Sequence, residues 1–177
     1  MTDRRTVPYG SWKSPITSDL IVSEVVRLCD PTCDGDDIYW TELRPSEGGR
    51  IVLVKRTPDG VTVDITPPGF NCRTRVHEYG GGEFVLRNGT VWFSNFDDQR
   101  LYRQESGNAP EPLSPEVDLR FADGVFDERR GLIYSVREDH TGGGGGEAVN
   151  TIVALNAKEP GSGGEVVVSG CDFYSNP

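Results

Sequence analysis

The segment that decides the fold is residues 90–103, which read TVWFSNFDDQRLYR. Its first half is an aromatic and β-branched run typical of a strand, and a second strand-like run begins at Leu101. The acidic residues between the two runs favour a turn. Asn88-Gly89, just before the segment, is the preferred pair of a type I′ hairpin turn. The segment therefore predicts consecutive antiparallel strands joined by tight turns.

Two other segments repeat this pattern of an aromatic strand, a turn and a second strand. They are residues 37–55, DIYWTELRPSEGGRIVLVK, and residues 131–155, GLIYSVREDHTGGGGGEAVNTIVAL. The second strands lie at Ile51, Leu101 and Ile152, at intervals of 50 and 51 residues. A repeat of this length that holds four short strands is typical of a β-propeller blade.

The remaining strands of three blades can be placed around these hairpins. Further strands are predicted at 25–29, 61–65, 83–86, 119–126 and 165–169, and a short helix near 17–22. Pro-rich joints at 66–69 and 110–115 suit crossings between blades, because proline cannot donate a ladder hydrogen bond. The five glycines at 142–146 are interpreted as a hairpin tip, where insertions are tolerated.

The predicted fold class is therefore all-β: an incomplete β-propeller with about three four-stranded antiparallel blades and the start of a fourth. The predicted divisions are an N-terminal extension at 1–22, blades at 23–66, 67–116 and 117–169, and the start of a fourth blade at 170–177. Three blades cannot close into a ring, so we expect the propeller to be incomplete. A generic antiparallel sandwich stays open on periodicity alone.

Composition narrows the class of protein. The 22 Gly and 12 Pro among 177 residues favour many turns, and the formal net charge of -10 argues against a nucleic-acid partner. No apolar run approaches the roughly 18 residues of a membrane helix, and the N-terminus lacks a secretory signal. We expect a cytoplasmic protein with no membrane partner. The four cysteines are expected to be reduced thiols rather than a zinc site.

Motifs for catalysis are absent from the sequence. It contains no Gly-x-Ser-x-Gly elbow, no phosphate-binding loop and no His-Glu-x-x-His helix. The sequence has two histidines, His77 and His140; either could serve as a base, but local sequence places no serine or cysteine beside either. We therefore predict no catalytic residue, no metal ligand and no cofactor-binding residue in this chain.

The most distinctive string is residues 73–82, RTRVHEYGGG. One interpretation places Arg75, His77, Glu78 and Tyr79 at the central channel of the propeller, where they would gate substrate by contacting the ends of a peptide. A polar network between blades is the favoured alternative, because buried polar groups usually find partners. Residues 137–140 form a second charged string, for which a solvated, loop-facing cluster is expected.

Six strings, in order along the chain, carry a resemblance to a known family. They are PYGSWKSPIT (8–17), YW with RP and GGR (within 39–50), HEYGGG (77–82), FSN with DQRLY (within 93–102), RFADG (120–124) and VREDH (136–140). Together they resemble the N-terminal β-propeller of the prolyl oligopeptidase family of serine peptidases, in its acylaminoacyl-peptidase and dipeptidyl-aminopeptidase-like branch. The resemblance covers nearly the whole chain.

The resemblance implies a two-part enzyme. Members of the family join a propeller of about seven blades to a C-terminal α/β-hydrolase domain that carries Ser, Asp and His, and the propeller admits short peptides but not folded proteins. No triad residue can be carried over, because this sequence holds no counterpart of the hydrolase domain. The expected partners are short peptides, acting through the complete protein, and the hydrolase domain itself.

The expected function is thus the substrate-gating propeller portion of a peptidase that cleaves aminoacyl or acylaminoacyl peptides. The chain alone is not expected to be active. A stand-alone propeller that serves as a binding or scaffolding module, and completes its ring with other chains, is the alternative. Sedimentation separates the two, because a stable closed homo-oligomer would favour the scaffold.

Overall fold

Three four-stranded antiparallel sheets make up almost all of the regular structure of this chain. The computed structural model describes residues 6–11, 13–23, 25–142 and 147–177. In each sheet the strands follow one another in chain order, so each is a simple meander. This arrangement confirms the prediction of an incomplete β-propeller with three four-stranded blades.

The bounds of the elements follow the predicted hairpins closely. In the described part of the N-terminal segment, one α-helix, α1 (Ser18–Ser23), precedes the first sheet. The first sheet contains β1 (Arg27–Asp34), β2 (Asp37–Arg44), β3 (Arg50–Arg56) and β4 (Thr62–Asp64). The second contains β5 (Phe84–Arg87), β6 (Thr90–Ser94), β7 (Leu101–Glu105) and β8 (Glu111–Pro112). The third contains β9 (Leu119–Asp127), β10 (Leu132–Asp139), β11 (Val149–Asn156) and β12 (Glu165–Val168).

Local sequence signals explain two of these elements directly. The backbone N–H of Leu20 donates to Oγ1 of Thr17 (3.1 Å), so a threonine caps the start of α1. Asn88 and Gly89 have φ angles of 49° and 72°, as a type I′ turn requires. Asp34, at the end of β1, accepts both backbone N–H groups of this turn, at 3.1 and 2.6 Å. One carboxylate therefore joins the first sheet to the second.

Two sequence-based expectations differ from the structure. The joint at 110–115 was expected to cross between blades without a strand, but Glu111 and Pro112 pair with Arg103 and Tyr102 as β8. Pro112 is tolerated there because β8 is the outermost strand and needs no donor on its free side. The first strand was predicted at 25–29, but it runs from Arg27 to Asp34 through an irregularity in the pairing after Cys29.

Two predicted features, the five-glycine hairpin tip and the start of a fourth blade, stay predictions. The five-glycine tip lies outside the described residues except for Gly142. Residues 170–177 form no strand, so the start of a fourth blade stays a prediction.

The hydrophobic core lies between neighbouring sheets rather than within one. Trp92 of β6 stacks on Phe126 of β9, with 5.1 Å between ring centroids, and its indole N–H donates to the carbonyl of Ala157 (2.8 Å). On the other side of the second sheet, Phe93 packs with Tyr39 in a separate buried cluster. Successive residues of β6 therefore face opposite neighbours, as the two-residue period of a strand requires.

Glycine permits the closest approach between the second and third sheets. A Cβ atom added at Gly124 of β9 would lie 2.3 Å from Cγ2 of Val85. A Cβ atom at Gly81 would lie 2.9 Å from Oδ1 of Asp123 and 3.0 Å from Cβ of Ala122. The separations of 2.3 and 2.9 Å are too short for a real side chain, so both glycines are needed for this close packing.

Among the described residues, no helix is long and apolar enough to span a membrane.

All four cysteines are free thiols, and Cys72 is fully buried.

The substitution Gly124→Ala tests the role of close packing. We expect it to lower the free energy of unfolding by about 1–3 kcal/mol, because the new methyl group forces Val85 or the strand to move. Gly142→Ala is the matched control, since nothing lies within 4 Å of a Cβ atom there. Urea denaturation of both variants measures the difference. Equal stability of the two would show that the sheets are not packed this closely.

Candidate functional site

The candidate string leads from the first sheet into the second. Burial alternates strictly along residues 72–76, so that Cys72, Thr74 and Val76 are buried while Arg73 and Arg75 are exposed. The backbone is fixed along this stretch, since the N–H of Arg73 donates to the carbonyl of Ser94 (2.9 Å). The string therefore presents two arginine side chains to solvent from an anchored backbone.

His77 connects the string to the third sheet. Its backbone N–H donates to Oε1 of Glu138 (2.7 Å), and its ring Nδ1 lies 3.2 Å from the same oxygen without the alignment of a hydrogen bond. His77 and Glu78 have φ angles of 56° and 65°, in the left-handed region that side chains rarely adopt. The chain tolerates this conformation because it aims the N–H of His77 at a buried carboxylate.

The other nitrogen of the His77 ring faces residues near the end of the chain. Nε2 is 3.0 Å from the carbonyl oxygen of Tyr174, and the ring of Phe173 packs edge-on at 5.2 Å. The side chain of His77 is only 12% exposed. His77 is thus occupied by structural contacts on both sides of its ring.

Glu78 and Tyr79 are the exposed members of the string beyond His77. Oε1 of Glu78 accepts from Nη1 of Arg120 (2.7 Å), and this ion pair lowers the pKa of the Glu78 carboxyl. Nη1 of Arg120 also donates to the carbonyl of Arg75 (3.2 Å). The Tyr79 side chain is 85% exposed, with its ring 6.5 Å from that of His77. Contact of these residues with a peptide stays a prediction.

Glu138 corrects the expectation that residues 137–140 form a solvated cluster. Its side chain is 6% exposed, and Oε2 lies 3.2 Å from Nε2 of His140 and 3.8 Å from Nη1 of Arg120. The expectation was wrong because residues 137–139 belong to β10, where alternation places Glu138 on the same buried face as Val136. A buried carboxylate needs partners, and the backbone N–H of His77, the imidazole of His140 and the guanidinium of Arg120 supply them.

Glu83 is a candidate residue that the sequence analysis did not single out. It lies just before β5, where its backbone carbonyl accepts from the N–H of Ser94 (2.9 Å). Burial, together with the negative charges of Asp30 and Asp123, raises the pKa of its carboxyl to about 7. Two like charges from distant parts of the sequence cause part of this shift, so no local motif could have revealed it.

The four predicted residues lie close together in sequence but have different surroundings in the structure. His77 and Glu78 make polar contacts with the third sheet, as the blade-to-blade alternative predicts. Arg75 and Tyr79 leave their polar ends exposed. Over the described ranges, no group of three or more His, Cys, Asp or Glu residues is arranged to hold a metal ion.

Comparison with solved structures finds similarity to peptidases. A puromycin-hydrolysing peptidase from Mycobacterium tuberculosis is 34% identical over 98% of this chain, with a TM-score of 0.86. A puromycin hydrolase is 36% identical over 86% of the chain, with a TM-score of 0.75. A serine-to-alanine mutant of puromycin hydrolase, in complex with PGG, gives the same values. The chain belongs to the prolyl oligopeptidase family.

Within this prolyl oligopeptidase family, the chain corresponds to blades of the β-propeller. It covers 29% of the length of the mycobacterial peptidase and 25% of the puromycin hydrolase, which is less than a third of either. No family model matches the sequence, and no curated protein matches it.

The raised pKa of Glu83 predicts how the stability of this family member depends on pH. Because the folded pKa, about 7, is above the ordinary value of 4.5, the folded state holds a proton that the unfolded state releases. The contribution of Glu83 to the free energy of unfolding is therefore fully present below about pH 4.5 and is lost as the pH rises through about 7. The loss is on the order of 3 kcal/mol at most.

The variant Glu83→Gln removes this dependence. We expect it to raise the free energy of unfolding relative to wild type at pH 8 and to change it little at pH 5. Glu159→Gln, at an exposed carboxylate, is the control for the change in net charge. Urea denaturation at both pH values gives the comparison. If Glu83→Gln raises the free energy of unfolding at pH 8 no more than Glu159→Gln does, the raised pKa of Glu83 is contradicted.

Proposed function

We propose that this chain is the substrate-gating propeller portion of a serine-type peptidase that cleaves short aminoacyl or acylaminoacyl peptides. The observation that carries the proposal is the similarity to puromycin-hydrolysing peptidases, which extends over 98% of the chain at 34% identity. A likeness this complete in sequence and in fold favours a role of the same kind. The whole protein's activity and its peptide substrates belong to this proposal.

The hydrolytic groups are assigned to the part of such proteins that this chain does not cover. The serine-to-alanine mutant among the similar structures supports a serine nucleophile in those peptidases. In this chain the described contacts of His77 and His140 are to a carbonyl and a carboxylate. Neither contact is the hydrogen bond between a base and a nucleophile that such catalysis needs.

The way in which the string at 75–79 is held supports the proposed gating role. Its backbone is tied to the third sheet through Glu138 and Arg120, so its exposed side chains stand on a rigid support. A rim that does not move selects by the width and the end groups of an entering chain. Arg75 and Tyr79 supply a positive charge and an aromatic ring for that selection. The hydrolase domain and short peptides are the partners, with neither nucleic acid nor membrane involved.

The assay that tests the proposal uses this chain with aminoacyl and acylaminoacyl chromogenic substrates. We expect no turnover, because the nucleophile and its base lie outside the chain. Puromycin hydrolase, assayed in parallel, is the positive control. Turnover by this chain that a serine-directed phosphonate abolishes would contradict the proposal.

The transcript downstream of Pro177 provides a second test. An in-frame continuation that reaches a Gly-x-Ser-x-Gly motif supports a peptidase. An in-frame continuation of several hundred residues without a nucleophile motif would overturn it.

A further inference from the structure

Two exposed arginines share one aromatic ring beside the candidate string. The guanidinium carbon of Arg75 lies 4.3 Å from the centroid of the Phe96 ring, and that of Arg73 lies 4.8 Å from the same centroid. The residues are two apart in a segment whose burial alternates, so both side chains leave the backbone on the same side. Phe96 is itself fixed, since its N–H donates to the carbonyl of Asn71 (2.9 Å).

Neither guanidinium forms a close ion pair in the part of the chain that the structure describes. Among the described residues, no carboxylate lies within 4 Å of the side chain of Arg73 or Arg75, whereas most other arginines form ion pairs. Two carboxylates act on the pair at longer range: Glu78, whose close partner is Arg120, on Arg75, and the half-buried Glu83 on Arg73. Two neighbouring arginines without a close ion pair are notable in a chain with 28 acidic and 18 basic residues.

We propose that Arg73 and Arg75 form a binding site for the C-terminal carboxylate of a short peptide. The proposal deepens the proposed function and rests on it for the class of ligand. A guanidinium offers paired N–H donors that match the two oxygens of a carboxylate, and hydrogen bonds of this kind are stronger than neutral ones. Two such groups beside one ring can hold a single carboxylate from two sides.

Phe96 prepares the site before the ligand arrives. Contact with a ring face limits the rotamers of both arginines, so less side-chain entropy is lost when a carboxylate binds. The backbone of Arg75 is held on both sides, because its N–H donates to Oε1 of Gln99 (2.7 Å) and its carbonyl accepts from Arg120 (3.2 Å). The charge of the pair is thus positioned by contacts that do not neutralise it.

The two arginines also lie next to the exposed part of the candidate string. Tyr79, four residues after Arg75, presents an exposed ring on the same string. A carboxylate bound at the arginines would leave the preceding residues of the peptide close to that string. The end group of the peptide, rather than its side chains, would then fix its direction along the rim.

The experiment is an NMR titration of the 177-residue chain, labelled with ¹⁵N and observed at the arginine Nε–H signals. The probes are N-acetyl-Ala-Ala, its C-terminal amide, and N-acetylglutamate α-amide, which carries a side-chain carboxylate only. The double variant Arg73→Gln/Arg75→Gln removes the site. Arg56→Gln/Arg129→Gln, at two arginines that form no ion pair in the described structure, is the matched control for charge.

We expect the free acid to bind at least tenfold more tightly than the amide, and the site variant to lose this difference while the control keeps it. Phe96→Leu should weaken binding of the free acid about threefold, because the two charges stay but the aromatic ring face is lost. Equal binding of acid and amide, or an equal loss in the control variant, would overturn the proposal. Binding of the glutamate probe as tightly as the free acid would overturn the assignment to the peptide C-terminus.

These outcomes are independent of the test of function. If the acid binds selectively through the two arginines but the transcript lacks a nucleophile motif, the binding site is supported and the peptidase function is refuted. If the transcript contains a nucleophile motif but the chain binds acid and amide equally, the peptidase function is supported and the binding site is refuted. Tryptophan fluorescence during urea denaturation confirms that each variant is folded.

Discussion

The buried carboxylate of Glu138 is the group around which the polar contacts between sheets are arranged. A charge in such a position is costly unless several donors surround it, and here the donors come from different parts of the sequence. The N–H of His77 arrives from the link between the first two sheets, and Arg120 and His140 come from the third. The need to satisfy one carboxylate therefore explains the strained backbone of residues 77–78 and the fixed path of the string that follows.

This arrangement divides the candidate string into two functional parts. His77 and Glu78 face the third sheet and hold the string in place, whereas Arg75 and Tyr79 point their polar ends to solvent. The two interpretations of the sequence, a network between blades and a peptide-contacting rim, are thus compatible. A rigid network is what allows a small number of exposed side chains to discriminate between ligands.

Sequence reasoning recovered the hairpins because their signals are local. The Asn88-Gly89 turn and the aromatic strands depend on neighbouring residues alone. It missed Glu138, because a strand's buried face is defined by sheets that pack from far along the chain. It missed the raised pKa of Glu83 for the same reason, since Asp30 and Asp123 are remote in sequence. The short β8 was missed because Pro112 is tolerated only where a strand has a free edge.

The exchange rate of the His77 backbone amide tests the central claim most directly, because that N–H donates to Glu138 at 2.7 Å. If the string is anchored to the third sheet, this amide exchanges with deuterium at least about a hundredfold more slowly than an unstructured amide. The amide of Lys13, in an exposed segment before the first sheet, provides the reference within the same sample. Exchange of His77 as fast as that of Lys13 would contradict the claim.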